Sequence, residues 1–461
     1  MSLRLFDSKT RAVRDFVPVV PGKVSMYVCG ITVQGPPHIG HMRVAVAFDV
    51  VRRWLTRSGY EVTMIRNVTD IDDKILLKAA EHHDEWWKWA YRYELVATDA
   101  YNTLGVLPPS YEPRATGHIT EMIELMRELI DRGHAYTSGG DIYFDVASWQ
   151  RYGELTGMKV DELQSAGDTE SDSKKKDPRD FALWKGQKPA EPASASWPTP
   201  WGPGRPGWHL ECSAMARRYL GSKFDIHGGG IDLRFPHHEN EIAQSAAAGD
   251  DFAQYWMHNA WVTLAGEKMS KSLGNTLSID ELTKNARPLD LRFYLATVHY
   301  RSTVDFSSTS LEEARAGLDR IEGFIARAEA TGAIADVPLP EAFATAMNDD
   351  LNVSGALAVV YDVVRRGNSA LAAKDKAQAA ELGLQARAML DVLGLDPLDE
   401  QWASASSGPG EDLGWAIDDL LAQRTEARTA KDFARADAIR DLLATHGISI
   451  EDTPDGPKWS R

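Results

Sequence analysis

Two short segments, far apart in the chain, carry side chains that suit phosphate chemistry. The first is Pro37-His38-Ile39-Gly40-His41, and it precedes residues 42 to 55, whose apolar positions recur at helical spacing. The second is Lys268-Met269-Ser270-Lys271-Ser272, which places two ammonium groups in a Ser/Gly-rich segment. A helix N-terminus offers backbone N–H groups and a partial positive charge, and both favour phosphate. We therefore predict that the two segments hold a triphosphate between them, as nucleotidyl transfer requires.

Each segment taken alone also has a structural explanation. A pair of histidines at a helix start can be a solvated cap, and a lysine- and serine-rich segment can be an ordinary loop. The conjunction favours chemistry, because residues 24 to 30 alternate as a strand does and Pro36-Pro37 ends that strand. The pattern predicts a strand, a tight turn and a helix N-terminus.

The chain contains only two cysteines, Cys29 and Cys212. Downstream, His237 and Glu241 are four residues apart in a segment of helical character, so they share one helix face. Two thiolates, an imidazole and a carboxylate would make a tetrahedral zinc shell. The alternative for each cysteine is a buried small apolar residue, which is the usual role of a free cysteine in a reducing cytosol.

The two phosphate-binding segments resemble, letter for letter, the HIGH and KMSKS motifs of class I aminoacyl-tRNA synthetases. The resemblance implies an α/β fold with a Rossmann-like catalytic domain that adenylates an amino acid. It also implies catalytic roles for His38, His41, Lys268 and Lys271, which would stabilise charge that develops in the transition state. ATP, with Mg2+, would be the substrate bound by His38, Gly40, His41 and Lys271.

Two further segments, residues 208 to 215 and 235 to 245, resemble the cysteinyl-tRNA synthetases. In that family the positions of Cys29, Cys212, His237 and Glu241 bind one Zn2+, which takes the thiolate of the substrate cysteine as an added ligand. Such a metal answers a chemical need, because an apolar pocket separates near-isosteres such as cysteine and serine by only about 100-fold. Zinc prefers the soft thiolate, so no editing domain is required.

The same resemblance implies an amino acid pocket and an anticodon module. The pocket residues are Gly30, Thr69, Trp208, His227 and Asp232. We expect Asp232 to hold the substrate ammonium group; His227 precedes three glycines and has the alternative of a structural histidine in a turn. Residues 31–36 differ from bacterial relatives, which more often carry Tyr-Asp in this stretch, and this leaves the role of Gln34 open.

Length and composition agree with a multidomain enzyme. The 461 residues suggest about three domains. The formal charge of −16 argues against unspecific binding of nucleic acid over the whole protein surface, although it is compatible with a local basic surface. The first 16 residues lack an apolar run of signal-peptide length and the chain shows no membrane span, so we expect a soluble, cytoplasmic protein. We also expect a monomer.

The pattern along the chain predicts the domain order. We expect residues 1–110 and 205–300 to form two halves of the Rossmann-like catalytic domain, interrupted by a connective insertion at 111–204. Residues 165 to 176 are polar and predict a mobile loop. An α-helical bundle should follow at 301–400, then a linker at 401–411 and a small C-terminal module at 412–461.

The C-terminal module resembles the anticodon-binding module of bacterial cysteinyl-tRNA synthetases. This resemblance implies that Phe433 and Asp437, one helical turn apart, contact anticodon bases of tRNA(Cys). An equal alternative is that Phe433 is a core residue. The function implied is a cysteine:tRNA ligase with cysteine, ATP and tRNA(Cys) as partners. A homologous cysteine ligase of mycothiol biosynthesis, acting on an amino sugar, is the alternative, but it lacks this module. A zinc- and tRNA-binding protein without catalysis is disfavoured by the intact His and Lys motifs.

Overall fold

In the computed structural model the chain folds as two units, residues 1–397 and 398–461. The structure describes residues 2–158, 172–264, 267–268, 277–402, 414–429, 432–445, 449–453 and 456–460. Each unit is described by itself below.

The first unit begins with the first half of a parallel sheet. An antiparallel pair, β1 (Arg4–Asp7) and β2 (Ala12–Asp15), precedes β3 (Lys23–Val28), α1 (Ile39–Arg57) and β4 (Glu61–Arg66). Strands β3 and β4 are parallel and joined through α1. The second half of β3 is buried throughout, as expected for a strand covered on both faces.

An insertion with its own sheet separates the two halves of the parallel sheet. It is preceded by α2 (Asp73–Glu81) and α3 (Trp86–Thr103), and α4 (Ile119–Asp131) leads into it. Its antiparallel strands, in spatial order, are β5 (Ala135–Ser138), β6 (Asp141–Phe144), β7 (Phe181–Gly186) and β8 (Gly204–Pro206). The predicted loop at 165–176 lies mostly outside the described residues, which resume at 172.

The second half completes the parallel sheet. It consists of α5 (Trp208–Leu220), β9 (Lys223–Gly230), α6 (Glu239–Ala248) and β10 (Phe252–Asn259). The strand order is β10-β9-β3-β4, and all three pairings are parallel. The order reverses between β3 and β9, so the carboxyl ends of these two strands flank the crevice where open α/β sheets bind ligands. The predicted Rossmann-like sheet is confirmed.

A small sheet and a group of helices complete the first unit. In chain order they are β11 (Val262–Leu264), β12 (Glu267–Lys268), α7 (Ile279–Leu282), α8 (Pro288–Ala296), β13 (Val304–Phe306), α9 (Ser308–Arg327), α10 (Glu341–Asn348), α11 (Val353–Ala372) and α12 (Lys376–Val392). The last four are the predicted helical bundle. The fully buried guanidinium of Arg292 donates to the carbonyls of Leu104 and Leu393 and to Asp49 on α1, and so fastens the helices to the sheet domain.

The second unit is a helical hairpin followed by a β-hairpin. Helices α13 (Gly414–Thr429) and α14 (Phe433–Thr445) precede the antiparallel strands β14 (Ser449–Thr453) and β15 (Gly456–Ser460). Leu421, Ile439 and Leu443 form a small core between the helices.

Candidate active site

A cavity of about 550 Å3 opens at the carboxyl ends of the four parallel strands. Its wall includes Gly30 just after β3, Arg66 at the end of β4, Gly230 at the end of β9 and Asn259 at the end of β10. The structure therefore brings together on one surface several residues that were predicted from distant segments. These lining residues are Cys29, Gly30, His38, Gly40, His41, Trp208 and Asp232.

The two histidines of the first motif form the N-terminal cap of α1. The Gly40 N–H donates to His38 Nδ1 and the His38 N–H donates to His41 Nδ1, both over 3.1 Å. The two imidazole rings stack with centroids 3.7 Å apart. Because Nδ1 accepts in both rings, the proton of each neutral imidazole is carried by Nε2. The cap and the catalytic explanation are therefore compatible: capping fixes the tautomer that can donate to a phosphate oxygen.

Gly40 and Gly30 leave no room for a side chain. A Cβ on Gly40 would lie 2.9 Å from the ring of His38, so the cap requires glycine. A Cβ on Gly30 would lie 1.6 Å from the backbone oxygen of Asn67, whose side chain accepts from the Gly30 N–H over 2.9 Å. Glycine at position 30 thus lets the ends of β3 and β4 approach beside Cys29.

Four buried donors meet at one edge of the cavity. Donor atoms of Cys29, Cys212, His237 and Glu241 all lie within 4.8 Å of one another. The Sγ atoms of Cys29 and Cys212 are 3.8 Å apart, Cys29 Sγ is 3.6 Å from Glu241 Oε1, and His237 Nε2 is 3.0 Å from the same oxygen. All four side chains are at most 7% exposed, and Cys29 also lines the cavity. The predicted zinc residues are therefore assembled in one cluster.

The donor set and its spacing fit zinc. Tetrahedral coordination with a Zn–S bond of about 2.3 Å places two sulfurs about 3.8 Å apart, and with a Zn–O bond of about 2.1 Å it places sulfur and oxygen about 3.6 Å apart. The distances from Cys29 to Cys212 and to Glu241 match these values. A second group, Cys29, His227, His238 and Glu241, also lies within 4.8 Å. It offers one thiol instead of two, so the first group suits a soft-ligand zinc site better.

Further histidines surround the cluster and orient its members. His227 Nε2 lies 2.8 Å from Glu241 Oε2, and His209 Nδ1 lies 2.9 Å from His237 Nδ1. His238 Nδ1 lies 2.8 Å from His258 Nε2, and His258 in turn contacts Ser8 Oγ over 2.8 Å. Partners of this kind fix the orientation and tautomer of ligating side chains. Apart from His227 and His237, none of these histidines had a role predicted from the sequence, because their neighbours come from other elements.

The charges in the cluster follow from burial and from these contacts. Burial alone would raise the pKa of Glu241, but His227 and His237 outweigh it and hold that pKa at about 2. Burial would lower the pKa of His237, and the opposing charges of Glu241 and Cys212 raise it to about 10. Burial raises the pKa of the Cys29 thiol well above its ordinary value. The Cys212 thiol, which accepts from Cys29, has its pKa lowered to about 6 despite burial. The cluster favours one thiolate even before a cation is considered.

Two predicted pocket residues lie behind the cavity wall. His227 is fully buried against Glu241, and its ring stacks on Trp256 with centroids 4.5 Å apart. Thr69 is 2% exposed, and its hydroxyl donates to Glu211 Oε2 over 3.1 Å. Trp208 does line the cavity, and its indole stacks on His237 with centroids 4.2 Å apart. Trp208 therefore joins the pocket to the donor cluster.

Other predicted residues lie at the margin of what the structure describes. Lys271 lies outside the described residues, and for Lys268 only the backbone is described, paired with Thr263 through β12 and β11.

In the second unit, Phe433 is 62% exposed at the start of α14. Asp437 is also exposed and pairs with Arg440 over 3.0 Å. Phe433 therefore does not belong to the core of its unit.

Comparisons with known protein families match nearly the whole chain. The catalytic domain of class I (C) tRNA synthetases matches residues 15–316, the DALR domain matches 342–397, and the cysteinyl-tRNA ligase anticodon binding domain matches 411–459. Together with the parallel sheet and its capped histidine motif, these matches define a class I aminoacyl-tRNA synthetase.

Curated relatives specify the amino acid. The cysteine–tRNA ligase of Streptomyces avermitilis is 57% identical over 468 residues, covering 100% of this chain and 99% of the relative. That of Beutenbergia cavernae is 58% identical over 474 residues, with the same coverage. The chain belongs to the cysteine–tRNA ligase family, and its activity is the ligation of cysteine to tRNA with ATP.

Solved structures agree on the fold. A methionyl-tRNA synthetase of Mycobacterium tuberculosis in complex with methionyl-adenylate has a TM-score of 0.58 at 15% identity, covering 84% of this chain and 92% of that chain. A LeuRS of Agrobacterium radiobacter, in a ternary complex with tRNA and LeuAMS, has a TM-score of 0.59 at 12% identity, with 86% of each chain covered. Among the described residues, no helix is long and apolar enough to cross a membrane.

Proposed function

We propose that this ligase selects cysteine through a Zn2+ ion held by Cys29, Cys212, His237 and Glu241. The observation that carries the proposal is the buried four-donor cluster beside the cavity, with spacings that suit tetrahedral zinc. When bound, the metal would supply a soft Lewis acid that favours the thiolate of cysteine over the hydroxyl of serine.

The chain's own residues would place the rest of the substrate. Cys29, Gly30 and Trp208 line the same cavity. The side chain of a bound cysteine that reaches the donor cluster would therefore lie against the indole of Trp208. Trp208 also stacks on His237, and this stacking would hold the imidazole in position. Asp232, on the same wall, would pair with the substrate ammonium group. Thr69 and His227, which lie behind the wall, would act by fixing Glu211 and Glu241.

Activation would take place at the capped turn. A carboxylate oxygen of cysteine would attack the α-phosphorus of ATP, which is bound with Mg2+ as substrate, and the bond to the β-phosphate would break to release pyrophosphate. His38 and His41, with the proton on Nε2, would donate to phosphate oxygens as negative charge develops on them. Gly40, which has no side chain, would let a phosphate approach the backbone at this turn. Lys268 and Lys271 of the second motif would stabilise the leaving pyrophosphate. The terminal ribose hydroxyl of the tRNA then attacks the carbonyl carbon and releases AMP.

The second unit would read the anticodon of tRNA(Cys). The exposed ring of Phe433 and the exposed carboxylate of Asp437 lie one turn apart on α14, where a base could stack on the ring. We also infer that the ligase acts as a monomer in the cytoplasm, because one chain supplies the whole donor cluster and its substrates are ATP and tRNA. Light scattering, which measures the molar mass in solution, tests whether the ligase is a monomer. The amino sugar ligase of mycothiol synthesis is not favoured, since the anticodon domain matches 411–459.

The test separates activation from transfer. Purified enzyme should contain one zinc per chain, and pyrophosphate exchange should depend on cysteine and be slower by a factor of 10⁴ or more with serine, as translation requires. Cysteine should then transfer to tRNA(Cys). A metal-free enzyme with the same discrimination would contradict the zinc proposal.

Removal of the second unit tests anticodon reading. A chain that ends at residue 402 should retain pyrophosphate exchange and lose most charging of tRNA(Cys), and Asp437→Ala should reproduce part of the loss in kcat/KM for tRNA. Circular dichroism shows whether the shortened chain is folded. If the folded, shortened chain charges tRNA as well as the full chain does, then this unit does not read the anticodon.

A further inference from the structure

Tyr27 has a buried hydroxyl whose role neither the fold nor the donor cluster explains. Its side chain is fully buried on β3, and its Oη forms no hydrogen bond with any of the described residues. A buried hydroxyl without a partner is destabilising, and replacement by phenylalanine at such a position would remove that cost. A functional partner would explain why the oxygen is there.

The strand geometry aims this hydroxyl at the donor cluster. Side chains alternate along a strand, so Tyr27 and Cys29 point to the same face, and the ladder extends to Cys29 because its N–H donates to the Gly228 carbonyl over 3.0 Å. Helix α5, which carries Cys212, packs against β3, and the Cys212 sulfur lies 3.8 Å from the sulfur of Cys29. Burial, and after it the Cys212 thiol, raises the pKa of the Tyr27 hydroxyl well above its ordinary value. Cys212 is therefore the candidate partner of the hydroxyl.

The neighbouring strand provides a parallel case. Tyr27 pairs in register with His227 on β9, and the two rings meet edge to face with centroids 5.3 Å apart. His227 contacts the carboxylate of Glu241 over 2.8 Å. Adjacent strands thus present two side chains to two different members of the cluster, His227 to a carboxylate and Tyr27 to a thiol.

We propose that Tyr27 is a positioning residue of the metal site, whose hydroxyl donates a hydrogen bond to the Cys212 sulfur when that sulfur is a metal-bound thiolate. A thiol is a weak acceptor and a thiolate is a stronger one, so the bond forms with metal binding. It withdraws electron density from the sulfur and fixes its position, which are the two effects by which groups behind the ligands tune a metal. The inference rests on the proposed zinc site.

Tyr27→Phe tests the inference, since it removes one oxygen and keeps the ring. We expect zinc affinity, measured by competition with a chromogenic chelator, to fall about tenfold, the lower end of what loss of such a partner causes. In the Co2+-substituted enzyme, the thiolate-to-metal charge-transfer band should move to longer wavelength, because the sulfur becomes more electron-rich. In the presence of a chelator, the variant should melt at or above the temperature of the wild type, because the unpartnered hydroxyl is gone.

Tyr143→Phe is the matched control. Tyr143 is also fully buried, but its hydroxyl donates to Asp141 in the insertion over 3.0 Å, so its loss should leave the cobalt spectrum and zinc affinity unchanged. If wild-type protein binds zinc and Tyr27→Phe matches it in affinity and cobalt spectrum, the inference is overturned. If the wild type binds neither zinc nor cobalt, the proposed metal site fails instead. A variant that melts lower than the wild type in chelator shows that the hydroxyl is structural, which also overturns the inference.

Discussion

Replacement of Gly30 by alanine should damage the site through a backbone collision. The added Cβ would lie 1.6 Å from the Asn67 carbonyl oxygen and 2.8 Å from its carbon. Non-bonded heavy atoms need a separation of at least about 3.0 Å here, so one backbone must move by roughly 1.4 Å. Neither partner is the end of a flexible side chain, and the hydrogen bond from the Gly30 N–H to Asn67 would also be lost.

The expected losses of stability and of activity in Gly30→Ala follow from that displacement. Overpacking costs about 1–3 kcal/mol, and a collision between two backbones lies at the upper end, so we expect about 3 kcal/mol of lost stability. Cys29 is the adjacent residue, and a misplacement of about 1 Å near reacting groups costs on the order of 10² in rate. Cysteine-dependent pyrophosphate exchange should therefore fall by a factor of about 10² or more in kcat/KM.

Calorimetry and pyrophosphate exchange, measured on the same preparations, check both numbers. Gly117→Ala is the matched control, because a Cβ there meets nothing within 4 Å, and it should change neither the melting temperature nor the exchange rate appreciably. A Gly30→Ala enzyme with wild-type melting and wild-type exchange would show that β3 and β4 do not approach as described.

Three other variants examine separate parts of the molecule. Cys212→Ser should lower zinc content and reduce discrimination against serine towards about 10², the limit of a pocket without the metal, as comparative exchange with the two amino acids would show; retained discrimination contradicts the proposed shell. Lys271→Ala should lower kcat for activation by on the order of 10² with a smaller change in KM for cysteine, and unchanged turnover would remove this lysine from the mechanism. Arg292→Met should destabilise the first unit by about 3 kcal/mol in calorimetry, because Asp49 would lose one of its two cationic partners and keep Arg53, while the buried carbonyls of Leu104 and Leu393 would lose a donor; an unchanged melting temperature would contradict this expectation.

Much of the function could be read from local sequence. The HIGH and KMSKS segments, the two cysteines and the spacing from His237 to Glu241 are short patterns whose residue types already define the chemistry. The strand-turn-helix around Gly40 follows from alternation, a Pro-Pro stop and helical periodicity, and the structure places that helix at Ile39–Arg57. Local patterns suffice where a single segment supplies the geometry.

Contacts between segments could be known only from the tertiary structure. The pairing of β3 with β9 places Tyr27 beside His227. The packing of α5 against these strands, and of residues 234–248 against α5, brings Cys212, His237 and Glu241 to Cys29. His209 and His258 look like any other histidines in the sequence, and only their neighbours from other elements show that they support the cluster. The residue types and their spacing determined which chemistry was available, and the order of the strands decided which side chains surround it, because long-range packing has no local signature in the chain.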